Sequence, residues 1–128
     1  MKKTIFVDAN IVIRFFLKDH PTLYPQAYSI FSKAESGLID VYLDEVVAAE
    51  IVWSLTSFYK KRKEEVVDKL EKLLSQEWVI NPRKKLLLKT LSIYKEKSLD
   101  YIDCWIFVIN NYLETELETF DHRLKKLI

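Results

Sequence analysis

The sequence predicts an α/β protein in which helices cover both faces of a central, mostly parallel sheet of four to five strands, a three-layer α/β/α sandwich. Short apolar runs alternate with longer segments of helical periodicity, as a parallel sheet with crossover helices requires. The single glycine and three prolines argue against a loop-rich β-sandwich or barrel and favour long helices. No repeat, linker or low-complexity stretch interrupts the 128 residues, so we expect one domain over residues 1–128.

The composition is that of a globular protein, with 49% hydrophobic and 30% charged residues. Its formal net charge of +1 excludes a general binder of polyanions, so any contact with nucleic acid must come from a local patch. One cysteine excludes an internal disulfide and fits a reducing compartment. The chain shows neither a signal peptide nor an apolar run of membrane-spanning length, and we therefore expect a cytoplasmic protein that does not enter a membrane.

Four short segments have the composition of strands, namely residues 5–7, 38–43, 78–80 and 116–120. The first is an uninterrupted apolar run, which predicts a strand buried on both faces. Asp8 then lies at the carboxyl end of this strand, the edge of an open α/β sheet at which ligands collect. Asp121 follows the last predicted strand in the same way.

Seven helical segments follow from apolar periodicity and from helix punctuation. Gly37 ends the second helix and Asp44 is placed to cap the third. The sixth is the most apolar and begins after Asp100. The predicted segments are residues 11–17, 24–36, 45–59, 64–74, 83–96, 101–113 and 121–127. Trp53, Trp78 and Trp105 are expected in the core, although one of them could anchor a partner surface.

Four carboxylates stand beside apolar residues or at the end of a strand. Asp8 and Asp121 end predicted strands, Glu50 lies close to a packing face, and Asp103 begins the most apolar helix. A carboxylate in such a place costs free energy unless a cation or hydrogen-bond donors meet it. A shared divalent cation would satisfy all four. Oxygen ligands, without a cluster of histidine or cysteine, suit Mg²⁺ or Mn²⁺ rather than Zn²⁺.

Each acid also has a purely structural interpretation. Asp8 and Asp121 could cap the helices that follow them, and Glu50 could pair with a cation or extend into solvent. Asp103 could form a capping box with Asp100. We favour the metal site because the four acids occur in the order strand, helix, helix, strand.

The same residues resemble a known family. PIN-domain ribonucleases, especially the VapC-type toxins of prokaryotic toxin–antitoxin pairs, open with a segment similar to IFVDANIVIRFF at residues 5–16. Glu50 in VAAEI resembles the second acid of that family, and Asp103 in YIDCWI resembles the third. Asp121 in TFD resembles the fourth, with its preceding hydroxyl at Thr119. The resemblance covers essentially the whole chain, although Trp105 and Phe107 are larger than the residues usual after the third acid.

The resemblance implies an endoribonuclease that depends on Mg²⁺ or Mn²⁺ and acts as the toxin of a type II toxin–antitoxin system. Asp8, Glu50, Asp103 and Asp121 would hold one or two ions and serve as the catalytic residues. Asn10 and Thr119 would orient these ligands or the attacking water. The implied partners are RNA, a cognate antitoxin and a second copy of the chain. The family often has a fifth strand after the last helix, but this chain stops at residue 128.

Arg14 lies one helical turn after Asn10 and could bind a substrate phosphate or pair with Asp19. The basic runs at residues 60–63 and 83–85 could form an RNA-facing patch or simply be solvated. Two other functions stay open. One is a catalytically silent PIN module that binds RNA or protein. The other is a phosphatase of the haloacid-dehalogenase type, which would want an aspartate where Asn10 stands.

Overall fold

The computed structural model describes residues 2–127, whose contacts divide the chain into one unit ending at Pro82 and another beginning at Arg83. The first unit contains β1 (Lys3–Phe6), α1 (Ala9–Leu17), α2 (Leu23–Glu35), β2 (Ile39–Tyr42), α3 (Glu45–Trp53), α4 (Lys63–Leu74) and β3 (Val79–Ile80). The second contains α5 (Lys84–Glu96), α6 (Tyr101–Leu113) and α7 (His122–Lys125).

The three strands of the first unit form one parallel sheet in the order β1-β2-β3. Alternation along the strands buries Val41 and Val79 on one face. On the opposite face Phe6 is largely exposed and stacks on Tyr42, with ring centroids 5.4 Å apart. The prediction that the first strand is buried on both faces is therefore wrong, because the ring of Phe6 packs sideways on its neighbour in the sheet.

The helices of the first unit build a core around the buried face of the sheet. α1 packs against α2 and α3, and α2 packs against β2. Large side chains from several elements are fully buried there, among them Val12, Leu43, Ile51, Leu70 and Leu74. α1 begins directly after Asp8, so this packing fixes where the first candidate acid lies. As predicted, Gly37 follows α2 with a φ of +88°, in the left-handed region that favours glycine.

The third helix differs from its prediction as one continuous helix to residue 59. α3 ends at Trp53, and the chain continues as a π-helix over Ser54–Phe58. The backbone N–H of Tyr59 donates to the carbonyl of Ser54 at 3.0 Å, one residue further back than in an α-helix. The hydroxyl of Thr56 also donates to the carbonyl of Val52 at 2.7 Å. Such π-turns are frequent at functional sites.

The second unit is helical. α5 packs against α6, and Tyr94 meets Tyr101 edge to face with ring centroids 5.7 Å apart. Cys104 is buried. Residues 116–120, predicted as the last strand, form no strand. Glu116 and Glu118 are exposed there, and glutamate has low strand propensity.

The predicted α/β class, with a parallel sheet and helices around it, is confirmed. The predicted number of strands is wrong, because residues 2–127 form three strands instead of four to five. Trp53 is 64% exposed rather than buried, whereas Trp78 and Trp105 are half-buried. Among the described residues, no helix combines the length and the apolar character that crossing a membrane requires.

Candidate active site

Asp8 lies between β1 and α1 and caps that helix. Its Oδ1 accepts a hydrogen bond from the backbone N–H of Ile11 at 3.1 Å. Its other oxygen accepts none from the part of the chain that the structure describes, and the residue is exposed. The capping interpretation is therefore correct for one oxygen, and the second oxygen remains available to a ligand.

Glu50 projects from α3 and is exposed to solvent. It lines a cavity of about 240 Å³ together with Asn10, which lies on the first turn of α1. The other lining side chains are mostly apolar and include Ile13, Trp53, Phe58 and Tyr59. Packing of α1 on α3 thus brings Glu50 and Asn10 into one concave site.

Arg14 connects three side chains beside this cavity. Its Nε donates to Oδ1 of Asn10 at 3.3 Å, and its Nη1 lies 3.5 Å from Oδ1 of Asp19. Its Nη2 donates to the hydroxyl of Tyr59. The pairing of Arg14 with Asp19, one of the two alternatives for this residue, is therefore present, and the same guanidinium fixes the orientation of the Asn10 amide.

Asp103 and Asp121 approach each other in the second unit. Burial raises the pKa of the Asp103 carboxyl above its usual range, and the negative charges of Asp121 and Asp100 raise it further. The guanidinium of Arg123 partly offsets this effect. The start of α6 therefore holds a half-buried carboxylate in a field of like charge, where a cation would be stabilised.

Asp121 resembles Asp8 in how it is held. Its Oδ1 accepts from the backbone N–H groups of Arg123 and Leu124, at 2.9 and 3.1 Å, and thereby caps α7. Its other oxygen accepts no hydrogen bond from residues 2–127. The backbone N–H of Asp121 donates to the hydroxyl of Thr119 at 3.1 Å. Thr119 thus positions the turn that carries the acid.

These donors have the chemistry that a hard divalent cation requires. Asp8 and Asp121 each leave one carboxylate oxygen unused by the helix cap, and Glu50 and Asp103 make no hydrogen bond within the described chain. Such oxygens fit Mg²⁺ or Mn²⁺. Within residues 2–127, however, no three acidic, histidine or cysteine side chains are placed together as a metal-binding group. The structure brings Asp103 to Asp121 and Glu50 to Asn10.

Comparison with protein families gives one match, the PIN domain, over residues 5–127. The chain belongs to the PIN domain family. PIN domains are typically nucleases, commonly metal-dependent ribonucleases, and they often pair with antitoxins. The match includes the positions of all four acids of this PIN domain. Searches of curated proteins and of solved structures gave no significant match.

The aromatic side chains that line the cavity, those of Trp53, Phe58 and Tyr59, were not predicted as part of a site. Trp53 lies three residues after Glu50, a spacing that places both on one side of a helix and could have indicated the contact. Phe58 and Tyr59 gave no such signal, because their positions depend on the π-helix. The bond between Tyr59 and Arg14 joins residues 45 positions apart.

Proposed function

We propose that this PIN domain is an endoribonuclease that depends on Mg²⁺ or Mn²⁺, formed by residues 1–128 as a single nuclease domain. The observation that carries the proposal is the approach of Asp103 and Asp121, two carboxylates of a PIN domain that repel each other without a cation. Burial raises the pKa of the Asp103 carboxyl, the negative charge of Asp121 raises it further, and a bound divalent ion would relieve the repulsion between the two carboxylates.

Asp8, Glu50, Asp103 and Asp121 are the proposed ligands of one or two ions. An ion held there would supply activation of water for attack on a phosphodiester and would neutralise charge on the phosphate oxygens. Asp8 and Asp121 keep their orientation because each also caps a helix through Oδ1. Helix capping and metal binding therefore use different oxygens of the same side chain.

Three further side chains have supporting roles in the proposal. Asn10 has its amide oxygen engaged by Arg14, so its N–H groups are left to orient a carboxylate or water. Thr119 holds the backbone of Asp121. Arg14 supplies the positive charge beside the cavity that a substrate phosphate would meet, and its bonds to Asn10 and Tyr59 keep that charge in place.

The decisive experiment is cleavage of RNA by the purified protein in Mn²⁺, with and without excess EDTA. Asp8→Asn removes one proposed ligand while keeping a cap for α1. Asp40→Asn is the matched control, because Asp40 lies near the start of β2 and pairs with Lys2 at 3.6 Å. We expect cleavage by the wild type and by Asp40→Asn alone. Cleavage that survives in Asp8→Asn, or in EDTA, contradicts the proposal.

We further propose that the protein acts in the cytoplasm as the toxin of a type II toxin–antitoxin pair, as a homodimer, with a cognate antitoxin that covers the acidic site. The support is family membership, since PIN domains often pair with antitoxins. Induced expression in a bacterial host should arrest growth, and expression of Asp8→Asn should not. Equal growth arrest by both forms would refute a toxic nuclease activity.

A further inference from the structure

A second cavity lies in the first unit of the chain and is lined by side chains of α1, α2 and α4. Its volume is about 340 Å³, within the roughly 300–1,000 Å³ of sites that bind small molecules. Trp78, which directly precedes β3, completes the lining. The cavity shares no lining residue with the one beside Glu50, so the proposed nuclease activity gives it no role.

A series of aromatic contacts forms the apolar part of this second cavity. The ring centroids of Phe15 and Phe31 are 4.5 Å apart, and those of Phe31 and Trp78 are 6.1 Å apart. Phe31 is buried, whereas Phe15 and Trp78 are half-buried. Each ring packs against a ring from another element, so this surface is ordered before a ligand arrives and binding costs little further conformational entropy. Such a surface suits a flat aromatic body, because aromatic rings pack well on one another.

The charged side chains of the second cavity are mostly cationic. Lys18, Lys69 and Lys72 line it, against one carboxylate, that of Glu35. Within residues 2–127, none of these four side chains forms an ion pair. Lys69 donates to the backbone carbonyl of Phe16 at 3.1 Å, which uses one of the three N–H donors of its ammonium group. The lining therefore has an excess of positive charge that no acid of the described chain neutralises.

We propose that the second cavity binds a small organic anion with a flat aromatic body, such as an aryl carboxylate or an aryl sulfonate. The aromatic body packs on Phe15, Phe31 and Trp78, and the lysine ammonium groups meet the negative group. A volume of about 340 Å³ admits one such molecule but not a helix of a partner protein, whose diameter with side chains is about 10–12 Å. This binding site goes beyond the proposed nuclease function and does not depend on it.

The test uses two fluorescent probes, titrated separately into the folded protein in EDTA at neutral pH. Anilinonaphthalene sulfonate is an aromatic anion that reports apolar surroundings, and phenylnaphthylamine has the same rings without the sulfonate. Lys18→Gln and Lys72→Gln should each weaken binding of the sulfonate about two- to fivefold, the scale of one exposed charge pair, and leave binding of the neutral probe unchanged. Lys33→Gln is the matched control, because Lys33 is exposed on α2 outside the lining. Lys69 is kept because it also bonds the backbone of α1.

A second pair of variants tests the place of binding without removing a core side chain. Ser32 is an exposed residue of α2 in the lining, and Ser32→Trp adds bulk there. It should weaken binding of both probes at least about tenfold, since the added ring occupies the space that a ligand needs. Ser29→Trp is the control, because Ser29 is exposed on the same helix and lies outside the lining. It should bind both probes as the wild type does, and circular dichroism checks that each variant is folded.

The proposal is overturned if the wild type does not bind the sulfonate, or if the lysine variants lose both probes equally. Unchanged binding in Ser32→Trp also overturns it. If Ser32→Trp instead turns a dimer into a monomer in sedimentation, a second copy of the chain covers the cavity and the proposal is wrong. The nuclease proposal is tested separately by cleavage, so a protein that binds the sulfonate but never cleaves RNA refutes the activity and leaves this site standing.

Discussion

Substitution of Asp8 separates the two proposed roles of its carboxylate, helix capping and metal binding. Oδ1 caps α1 through the N–H of Ile11 at 3.1 Å, and the other oxygen is the proposed metal ligand. Asparagine keeps the cap and loses the charge, which is worth about 0.3–1 kcal/mol at the start of a helix. Alanine also loses the cap, which typically contributes about 1 kcal/mol. In EDTA we therefore expect Asp8→Asn to cost under about 1 kcal/mol and Asp8→Ala about 1–2 kcal/mol.

The metal role appears only when the ion is added. Wild-type protein with Mn²⁺ at about 100 times its dissociation constant should gain about 2.7 kcal/mol of unfolding free energy, because only the folded chain assembles the ligands. Both variants should gain much less at the same Mn²⁺ concentration. The assay is urea unfolding followed by circular dichroism, with Asp40→Asn as control. An undiminished gain in Asp8→Asn would show that Asp8 does not bind the ion, and equal stability of the two variants in EDTA would refute the cap.

Three further substitutions test the surroundings of the site. In EDTA, the unfolding free energy of the wild type should fall as pH rises from the ordinary pKa of 3.8 through the raised pKa of folded Asp103, because the fold disfavours the charged form of this carboxyl. Asp103→Asn should lack this pH dependence and should melt at a higher temperature at neutral pH in calorimetry. Glu50→Gln should change unfolding free energy by less than about 0.5 kcal/mol because Glu50 is exposed, yet lower Mn²⁺-dependent RNA cleavage by about 100-fold or more. Arg14→Ala should lower the free energy of unfolding in urea by about 1.5–3 kcal/mol, because its hydrogen bonds to Asn10 and Tyr59 are lost, and Arg14→Lys should lower it less. Unchanged stability of Arg14→Ala would contradict a stabilising role of these bonds.

Elements with strong local signals could be predicted from the sequence. α6 runs over Tyr101–Leu113, the predicted range, because residues 101–113 form a long, strongly apolar run; Asp100 precedes it without a side-chain capping hydrogen bond. The ends of α2 were predictable to within one residue, because Gly37 stops the helix by its own backbone preference. The helix N-cap at Asp8 could likewise be predicted, because an aspartate directly before an apolar helix can accept a hydrogen bond from a backbone N–H of the first turn.

Features that depend on non-local packing could not be predicted. The π-helix after Trp53 needs α3 and its neighbours in place, and nothing in the sequence of residues 54–58 distinguishes it from an α-helix. Trp53 was expected in the core because large aromatic residues usually are buried, but its side chain is 64% exposed. The segment from Glu116 to Phe120 alternates like a strand, but its glutamates favour solvent and the pairing does not form. Arg14 contacts Tyr59 as well as Asp19, and the contact with Tyr59 joins residues 45 positions apart in the sequence.

The proposed metal binding by Asp8, Glu50, Asp103 and Asp121 can be measured by titration of the purified protein with Mn²⁺ in isothermal calorimetry. The variants Asp8→Asn and Asp103→Asn each remove one proposed ligand. We expect the wild type to bind Mn²⁺ and each single variant to bind it at least about tenfold more weakly. Wild-type affinity in Asp8→Asn would contradict the proposed role of Asp8 as a ligand, since Mn²⁺ would then be held without the acid that follows β1.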